Sequence, residues 1–271
     1  MNRLGIEQIS VFGLPPVQYV NLAADLGCGN IGIALYPFGI NPHGYPPFSL
    51  KDDAQLRRET IAASRDRGVT FSIGEGFGVK PGKDVGEQAA EMDVMAELGV
   101  QRLNSFSMDP DLGRSFDQLA KLAEMTDARG LKLAIEFAPV MTIPDLAGAA
   151  AAVRHVGRPN FQICLDTMHF IRSGSRPEEL TDYEPELFGY VQLCDAPIVP
   201  ANPDYMTEAM TARMVPGTGE LPLLEILAAL PRDLVVSVEV PRLAEARAGM
   251  EPHERLRPCV ESARALLAAL D

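Results

Sequence analysis

This sequence of 271 residues has few positively charged residues. The chain has 24 lysine and arginine residues against 37 aspartate and glutamate residues, so its formal net charge is −13. A chain this acidic repels the phosphate backbone of nucleic acids and the anionic surface of membranes. The basic residues also stand singly along the chain, without forming blocks. We therefore expect neither nucleic acid nor a membrane as a partner.

Long apolar runs and closely spaced cysteines are also missing. No apolar stretch approaches the ~20 residues that a membrane-spanning helix needs, and the first residues, MNRLGIEQISVFG, lack the apolar core and cleavage site of a secretion signal. Cysteine occurs four times, at widely separated positions: Cys28, Cys164, Cys194 and Cys259. Isolated thiols are typical of reducing compartments. These absences predict a cytoplasmic protein with free cysteines.

Eight apolar segments of strand length recur along the chain, with helical patterns between them. Most of the segments are continuous apolar runs, which are typical of parallel strands covered on both faces. Several helical patterns end at a glycine just before the next apolar segment, which is the usual chemistry of a turn from helix to strand. The predicted strands lie at 4–12, 30–36, 68–77, 100–107, 131–139, 160–166, 188–195 and 233–240.

The spacing of these segments favours one barrel. Their starts are about 33 residues apart, which matches a βα unit of ~30 residues. Eight such units account for the ~250 residues of a TIM barrel. A doubly wound open sheet normally has a glycine-rich first turn, whereas the first turn here reads FGLPP. We predict an α/β fold with a single (β/α)8 TIM-barrel domain over residues 1–271.

Polar side chains that could bind a metal occur at the ends of four consecutive predicted strands. A salt bridge would explain any one of them, but adjacent strands of a barrel bring their ends to one point near the axis. Carboxylates in apolar strands are costly to bury unless they are paired or bind a metal. An oxygen-only ligand set suits Mn²⁺ or Mg²⁺, with Co²⁺ as a third choice. The four predicted ligands are Glu136, Asp166, Gln192 and Glu239.

Five stretches carry a resemblance to a known family. They read IEFAP, CLDTMH, VQLCD, ARMVPGTGELPLLEIL and SVEVP, and they lie between 131 and 241. On these stretches the chain resembles the xylose isomerase-like TIM-barrel superfamily, which includes sugar isomerases and epimerases, hydroxypyruvate isomerase, inosose dehydratase and endonuclease IV. The resemblance implies that the four predicted ligands occupy the family's metal-binding positions. It also implies that His169 and Arg213 contact substrate oxygens.

The resemblance implies a metal-dependent isomerase or epimerase. Such an enzyme removes a proton next to the carbonyl of a keto sugar or related polyol, with Glu136 and Glu239 as the catalytic carboxylates. Many members of the family carry histidine at the position of Gln192. With glutamine at this position, the sequence resembles the 3-dehydroshikimate dehydratases. The alternative is therefore a metal-dependent dehydratase (a lyase) that acts on a cyclic hydroxy ketone.

Two further classes are weighed against these. A sugar-binding barrel without catalysis is disfavoured by the three carboxylates that remain at the metal-binding positions. A DNA-repair enzyme like endonuclease IV is disfavoured by the net charge of −13 and by only four histidines, too few to supply a trinuclear zinc site.

Three more residues receive an interpretation from their positions. Glu75 ends the third predicted strand and is a candidate for substrate contact, with pairing to a neighbour as the alternative. His43 lies on the first of two long loops, 36–48 and 195–220, and is a candidate for covering the pocket. Glu7 is placed near the start of the first strand and is interpreted as structural. The expected partner is a small polyhydroxylated ketone, and we expect a homodimer or homotetramer.

Overall fold

Eight parallel strands close into a barrel in sequence order. The computed structural model of the chain describes residues 2–270, and each strand pairs with the next, with the last pairing to the first. The predicted TIM barrel is therefore confirmed. The strands are β1 Leu4–Ile6, β2 Asn30–Ala34, β3 Thr70–Val79, β4 Arg102–Ser107, β5 Lys132–Glu136, β6 Phe161–Asp166, β7 Phe188–Leu193 and β8 Val236–Val238.

Helices follow the strands and cover the barrel from outside. Five of them begin at an aspartate whose carboxylate accepts a backbone N–H of the first turn. Three end at a left-handed glycine, as the sequence predicted: Gly68, Gly99 and Gly157. The helices are α1 Pro16–Asp25, α2 Ala54–Arg67, α3 Ala89–Leu98, α4 Leu112–Asp127, α5 Leu146–Val156, α6 Thr167–Arg172, α7 Tyr205–Thr211, α8 Leu223–Ala229, α9 Leu243–Arg247 and α10 Pro252–Ala268.

The core has two parts. A large apolar cluster packs the helices against the outer faces of the strands. A small cluster of Ile73, Ala134, Cys164 and Tyr190 is fully buried and comes from four different strands. Because alternate residues of a strand point to the same side, this inner cluster marks which side chains project into the barrel.

The first strand is much shorter than the predicted segment 4–12. It ends at Ile6, and the chain turns into a short 3-10 helix, Gln8–Val11. This corrects the placement of Glu7: it lies at the carboxyl end of β1, at the same end of the barrel as Glu136.

The longest loop contains structure of its own. Within the stretch 195–220, α7 forms a short helix that follows β7 and precedes α8. In the described part of the chain, 2–270, no helix combines the length and apolarity needed to cross a bilayer.

Candidate metal and substrate site

The predicted ligands lie at the carboxyl-terminal face of the barrel. Glu136 and Asp166 are the last residues of β5 and β6, and the strand register places Asp166 beside Gln192. Glu239 directly follows β8, and its N–H donates to the Leu193 carbonyl at 2.9 Å. The inner-cluster residues Ala134, Cys164 and Tyr190 precede the first three ligands by two positions. The side chains of those three ligands therefore project into the barrel.

Three side chains come within coordination reach of one another. Glu136, Asp166 and His169 each offer one potential ligand atom, and these atoms lie within 4.8 Å of one another. Asp166 caps the beginning of α6, and its Oδ1 accepts the His169 N–H at 2.8 Å. This hydrogen bond holds His169, in the first turn of the helix, close to the carboxylate. His169 Nε2 lies 3.3 Å from Glu136 Oε1. The structure thus brings two predicted ligands together with a residue predicted to contact substrate.

Arg213 links Glu239 to this group. The Arg213 guanidinium donates to Asp166 Oδ2 and lies 3.2 Å from Glu239 Oε2. It is almost completely buried, with 3% of its side chain exposed. Arg213 was predicted to contact substrate oxygens, and it does border the cavity. In this arrangement it also bridges two predicted metal ligands.

Gln192 presents its nitrogen to the carboxylates. Its Nε2 lies 3.4 Å from oxygens of both Glu75 and Glu239, and its Oε1 accepts from Cys164 Sγ at 3.2 Å. For Gln192 to serve as an oxygen ligand, the amide would have to turn over about its terminal bond, which exchanges atoms of nearly the same size.

Asn104 was missed by the sequence reasoning and belongs to the site. Its amide nitrogen donates to Glu136 Oε2 at 2.5 Å and to Glu75 Oε2 at 3.2 Å. It lies within β4, and asparagine, which is depleted in strands, is the signal that could have found it. Asn104 orients Glu136 and holds Glu75 beside it.

Glu7 is the second residue that the sequence reasoning placed elsewhere. It borders the same cavity, with 1% of its surface exposed. Its Oε1 accepts from the Tyr190 hydroxyl at 2.8 Å, while its Oε2 has no hydrogen-bond partner. The carboxylate lies over Gly32, where a Cβ would come within 1.7 Å of Oε2, so only glycine fits. Burial raises the pKa of Glu7 to about 7.

Acidic groups outnumber basic ones in this cavity. Burial raises the pKa of both Glu75 and Glu239 well above the usual range, and their acidic neighbours add to the shift. Burial also acts against the charged form of Asp166, but Arg213 and His169 outweigh it and hold its pKa below the usual value. Arg213 is the one permanent cation that borders the cavity among the described residues, against four carboxylates that line it: Glu7, Glu75, Glu136 and Glu239. Asp166, fully buried and paired with Arg213, adds a fifth carboxylate to the site.

This charge balance fits a divalent cation. Crowded carboxylates in a desolvated site are costly unless a positive charge compensates them. The donor set is rich in oxygen, as hard divalent ions require, and His169 adds a nitrogen that transition metals accept. Glu136, Asp166 and His169 could hold such an ion as placed, with Glu239 and Gln192 beside them.

A short helix covers one side of the site. Tyr205, the first residue of α7, has its hydroxyl 2.6 Å from His169 Nδ1. A buried ion pair between Arg172 and Glu208, at 3.1 Å, ties the same helix to the end of α6. Tyr205 is a further residue that the sequence reasoning missed, because it lies inside a loop of low regularity. The contact sets the orientation of the His169 ring.

His43 is not brought to the cavity. The structure places its ring against Tyr45, with centroids 5.3 Å apart, and its Nε2 lies 3.4 Å from Arg255. The described residues that line the cavity do not include it. The loop turns His43 towards α10 instead, which corrects its predicted place over the pocket.

The family of the chain follows from its fold and sequence together. The model of the xylose isomerase-like TIM barrel family matches residues 20–259, and the chain belongs to this family. No curated protein sequence matches it significantly.

Solved structures share the fold across nearly the whole chain. The IolI protein with a bound zinc atom has a TM-score of 0.81 and 19% identity, covering 99% of both chains. D-psicose 3-epimerase in the presence of D-fructose has a TM-score of 0.69 and 17% identity, covering 98% of this chain and 99% of its own. The probable 3-DHS dehydratase AsbF from Bacillus anthracis has a TM-score of 0.73 and 12% identity, covering 97% and 99%. These similarities concern the fold.

Proposed function

We propose that this protein is a divalent-metal-dependent enzyme that removes a proton next to the carbonyl of a small hydroxy ketone, with isomerisation or epimerisation as the outcome. The observation that carries the proposal is the excess of buried carboxylates over cations at the carboxyl end of the barrel, where TIM barrels place their active sites. The similarity to structures of a zinc-containing barrel and of a sugar epimerase supports it.

Two carboxylates are suited to the proton transfer. Glu136 and Glu239 both border the cavity and come from different strands, so a substrate between them would meet a carboxylate on two sides. One removes the proton and the other returns it. Asn104 holds Glu136 through its 2.5 Å hydrogen bond, which keeps the free oxygen of Glu136 directed at the cavity and at His169.

His169 and Arg213 are suited to holding substrate oxygens. Both border the cavity and carry donors, and Arg213 has a charge that can compensate negative charge developing on the substrate. Tyr205 fixes the His169 ring from behind. A divalent ion held by Glu136, Asp166 and His169 would polarise the carbonyl group and make the neighbouring C–H bond more acidic. We propose Mn²⁺ or Mg²⁺, because oxygen donors dominate the site.

Hydrogen exchange tests the proposal. A panel of hydroxy ketones, from dihydroxyacetone and D-fructose to 2-hydroxyacetophenone, is incubated in D₂O with the Mn²⁺-supplemented protein, and the hydrogen next to the carbonyl is followed by NMR. We expect exchange on at least one compound, and its loss in Glu136→Gln and Glu239→Gln. The control is Asp109→Asn, which alters a buried carboxylate paired with Arg114 outside the cavity. Absence of exchange across the panel, together with absence of retained metal, would overturn the proposal.

A dehydratase is the second candidate, favoured by one observation. Elimination of water needs a group that can protonate the departing hydroxyl, and Glu7 borders the cavity with a pKa raised to about 7 by burial. The glutamine at position 192 and the fold shared with a probable 3-DHS dehydratase point the same way. An absorbance scan with 3-dehydroshikimate tests this candidate, because loss of water gives an aromatic product that absorbs at longer wavelength than the substrate, whereas an epimer keeps the absorbance of the substrate.

A further inference from the structure

The cavity at the carboxyl end of the barrel has two unlike parts. Its volume is about 500 Å³, within the range of small-molecule sites. The floor is formed by Glu7, Glu75, Glu136 and Glu239 with His169 and Arg213. Above the floor, towards the mouth, the side chains are almost all apolar.

Four separate loops supply this apolar wall. One follows β2, one includes the end of β4, one follows β5, and the last carries α7. Several wall side chains are strongly exposed, with Met108 at 48% and Met206 at 41%. Exposed apolar side chains that converge from four loops are costly unless something covers them. The principal wall residues are Phe38, Phe106, Met108, Met141, Met206 and Met210.

The wall offers almost nothing to a hydroxyl group. Among the described lining residues above the floor, the one with a polar side chain is Gln8. Its amide is already used, since Oε1 accepts the Ala34 N–H at 2.7 Å and Nε2 donates to the Tyr36 carbonyl at 3.3 Å. Hydroxyl groups at the far end of a sugar would lose water there without gaining partners.

We propose that the substrate has two unlike ends: a hydroxy ketone that faces the carboxylate floor and an apolar group, of the size of an aromatic ring, that faces the wall. This inference rests on the proposed function, because the floor is what selects the hydroxy ketone. Methionine and phenylalanine side chains make favourable contacts with the faces and edges of flat rings. The wall therefore favours a ring over a chain of hydroxyl groups.

Two hydroxamates with the same chelating head test the inference. Benzohydroxamate carries a phenyl ring, and 2,3,4-trihydroxybutanohydroxamate has the same number of non-hydrogen atoms but three hydroxyl groups. Calorimetry on the full chain supplemented with Mn²⁺ gives both dissociation constants. We expect benzohydroxamate to bind at least tenfold more tightly.

Substitutions in the wall sharpen the test. Met206→Gln and Met210→Gln should weaken benzohydroxamate binding several-fold and leave the trihydroxy compound unchanged or slightly tighter. The matched control is Leu224→Gln, because Leu224 on α8 is 41% exposed, as Met206 is, but lies outside the cavity. This control should bind both compounds as the wild type does.

The outcomes separate this inference from the proposed function. If both hydroxamates bind and the trihydroxy compound binds as tightly as benzohydroxamate or more tightly, the inference is overturned and the proposed function stands. If neither binds and no metal is retained, both fall. If Met206→Gln and Met210→Gln leave benzohydroxamate binding intact but convert an oligomer to a monomer by sedimentation, the wall is an interface between copies of the chain and the inference is overturned.

Discussion

Asp166 and Asp195 are both buried aspartates near the ends of neighbouring strands, yet they are compensated in different ways. Each has 1% of its surface exposed. Asp195 accepts four backbone N–H groups at 2.8–3.1 Å, from Ala196, Gly217, Gly219 and Leu221. Asp166 accepts one backbone N–H, from His169, and otherwise relies on Arg213 and on the His169 ring, whose Nδ1 lies 3.7 Å from Asp166 Oδ1.

The difference separates a structural carboxylate from a functional one. The carboxylate of Asp195 is neutralised by dipoles of the loop that it organises, so its partners are permanent. Asp166 shares a single arginine with Glu239 and is surrounded by further acids. A carboxylate compensated like Asp195 stabilises the fold. A cluster like that of Asp166 keeps uncompensated negative charge, which a cation and a substrate can use.

The largest effect on stability is expected at Asp195. Asp195→Ala leaves four N–H groups without their acceptor, and we expect the free energy of unfolding to fall by about 4 kcal/mol. Urea unfolding followed by circular dichroism measures it. Asp195→Asn, which keeps one carbonyl acceptor, should lose less. A loss in Asp195→Ala below ~1 kcal/mol would show that the loop does not depend on this carboxylate.

The sequence separated these two aspartates only in part. Asp195 ends the predicted strand segment 188–195, three residues after Gln192, and this position suits a residue that orients either a ligand or the loop that follows. The hydrogen bonds show that it organises the loop. The sequence could not show that the backbone satisfies Asp195 fully, since that depends on the loop 215–221 folding back over it. The spacing of a motif shows where a carboxylate lies along a strand. Which groups compensate its charge depends on parts of the chain that meet it only in the folded protein.

The fold was predictable because eight apolar runs and glycine-ended helices repeat at a regular interval. Glu7 shows the limit of such reasoning. Its apolar neighbours Ile9 and Val11 extend the run beyond Ile6, so the pattern alone puts the end of the strand too late. The chain ends β1 early and turns there, which moves Glu7 from the start of a strand to the floor of the cavity.

The second largest effect is expected from Glu7 and depends on pH. Its folded pKa of about 7 lies above the ordinary value of 4.5, so the folded chain binds an extra proton between these values and stability falls as pH rises through that window. Glu7→Gln removes the free-energy cost of ionising a buried carboxyl group. In metal-free buffer at pH 8 we expect the variant to be more stable than wild type by about 3 kcal/mol.

The free energies of unfolding of the wild type and Glu7→Gln should become equal at low pH. Below about pH 4.5 the carboxyl group is protonated in both folded and unfolded chains, and Glu7→Gln should then match the wild type. Urea unfolding at several pH values measures the difference. A difference that does not change with pH would contradict the assignment of Glu7 as a buried acid.

A smaller effect is expected where the chain supports His169. Tyr205→Phe removes the hydroxyl that bonds to His169 Nδ1 but keeps the ring that packs beside it. Because groups behind a ligand fix its orientation, Mn²⁺ affinity should fall about tenfold. Calorimetry measures this, with Tyr183→Phe, a tyrosine outside the cavity, as the control. Equal affinities in both variants would remove Tyr205 from the support of the site.

The smallest effect is expected at His43. It lies against Tyr45 and Arg255 and away from the carboxylates. His43→Ala should leave Mn²⁺ affinity and hydrogen exchange within about twofold of wild type and change the free energy of unfolding by less than ~0.5 kcal/mol. A tenfold loss of exchange would restore the role that the sequence predicted for it.

Calorimetric titration with Mn²⁺ of the wild type, Asp166→Asn and Asp109→Asn tests the central claim most directly. Asp109 is the matched control, since it is a buried aspartate paired with one arginine but lies outside the carboxylate cluster. The account predicts one ion per chain in the wild type and in Asp109→Asn, and a loss of affinity of at least a hundredfold in Asp166→Asn. Equal binding by Asp166→Asn and wild type would contradict the assignment of the metal site to this end of the barrel.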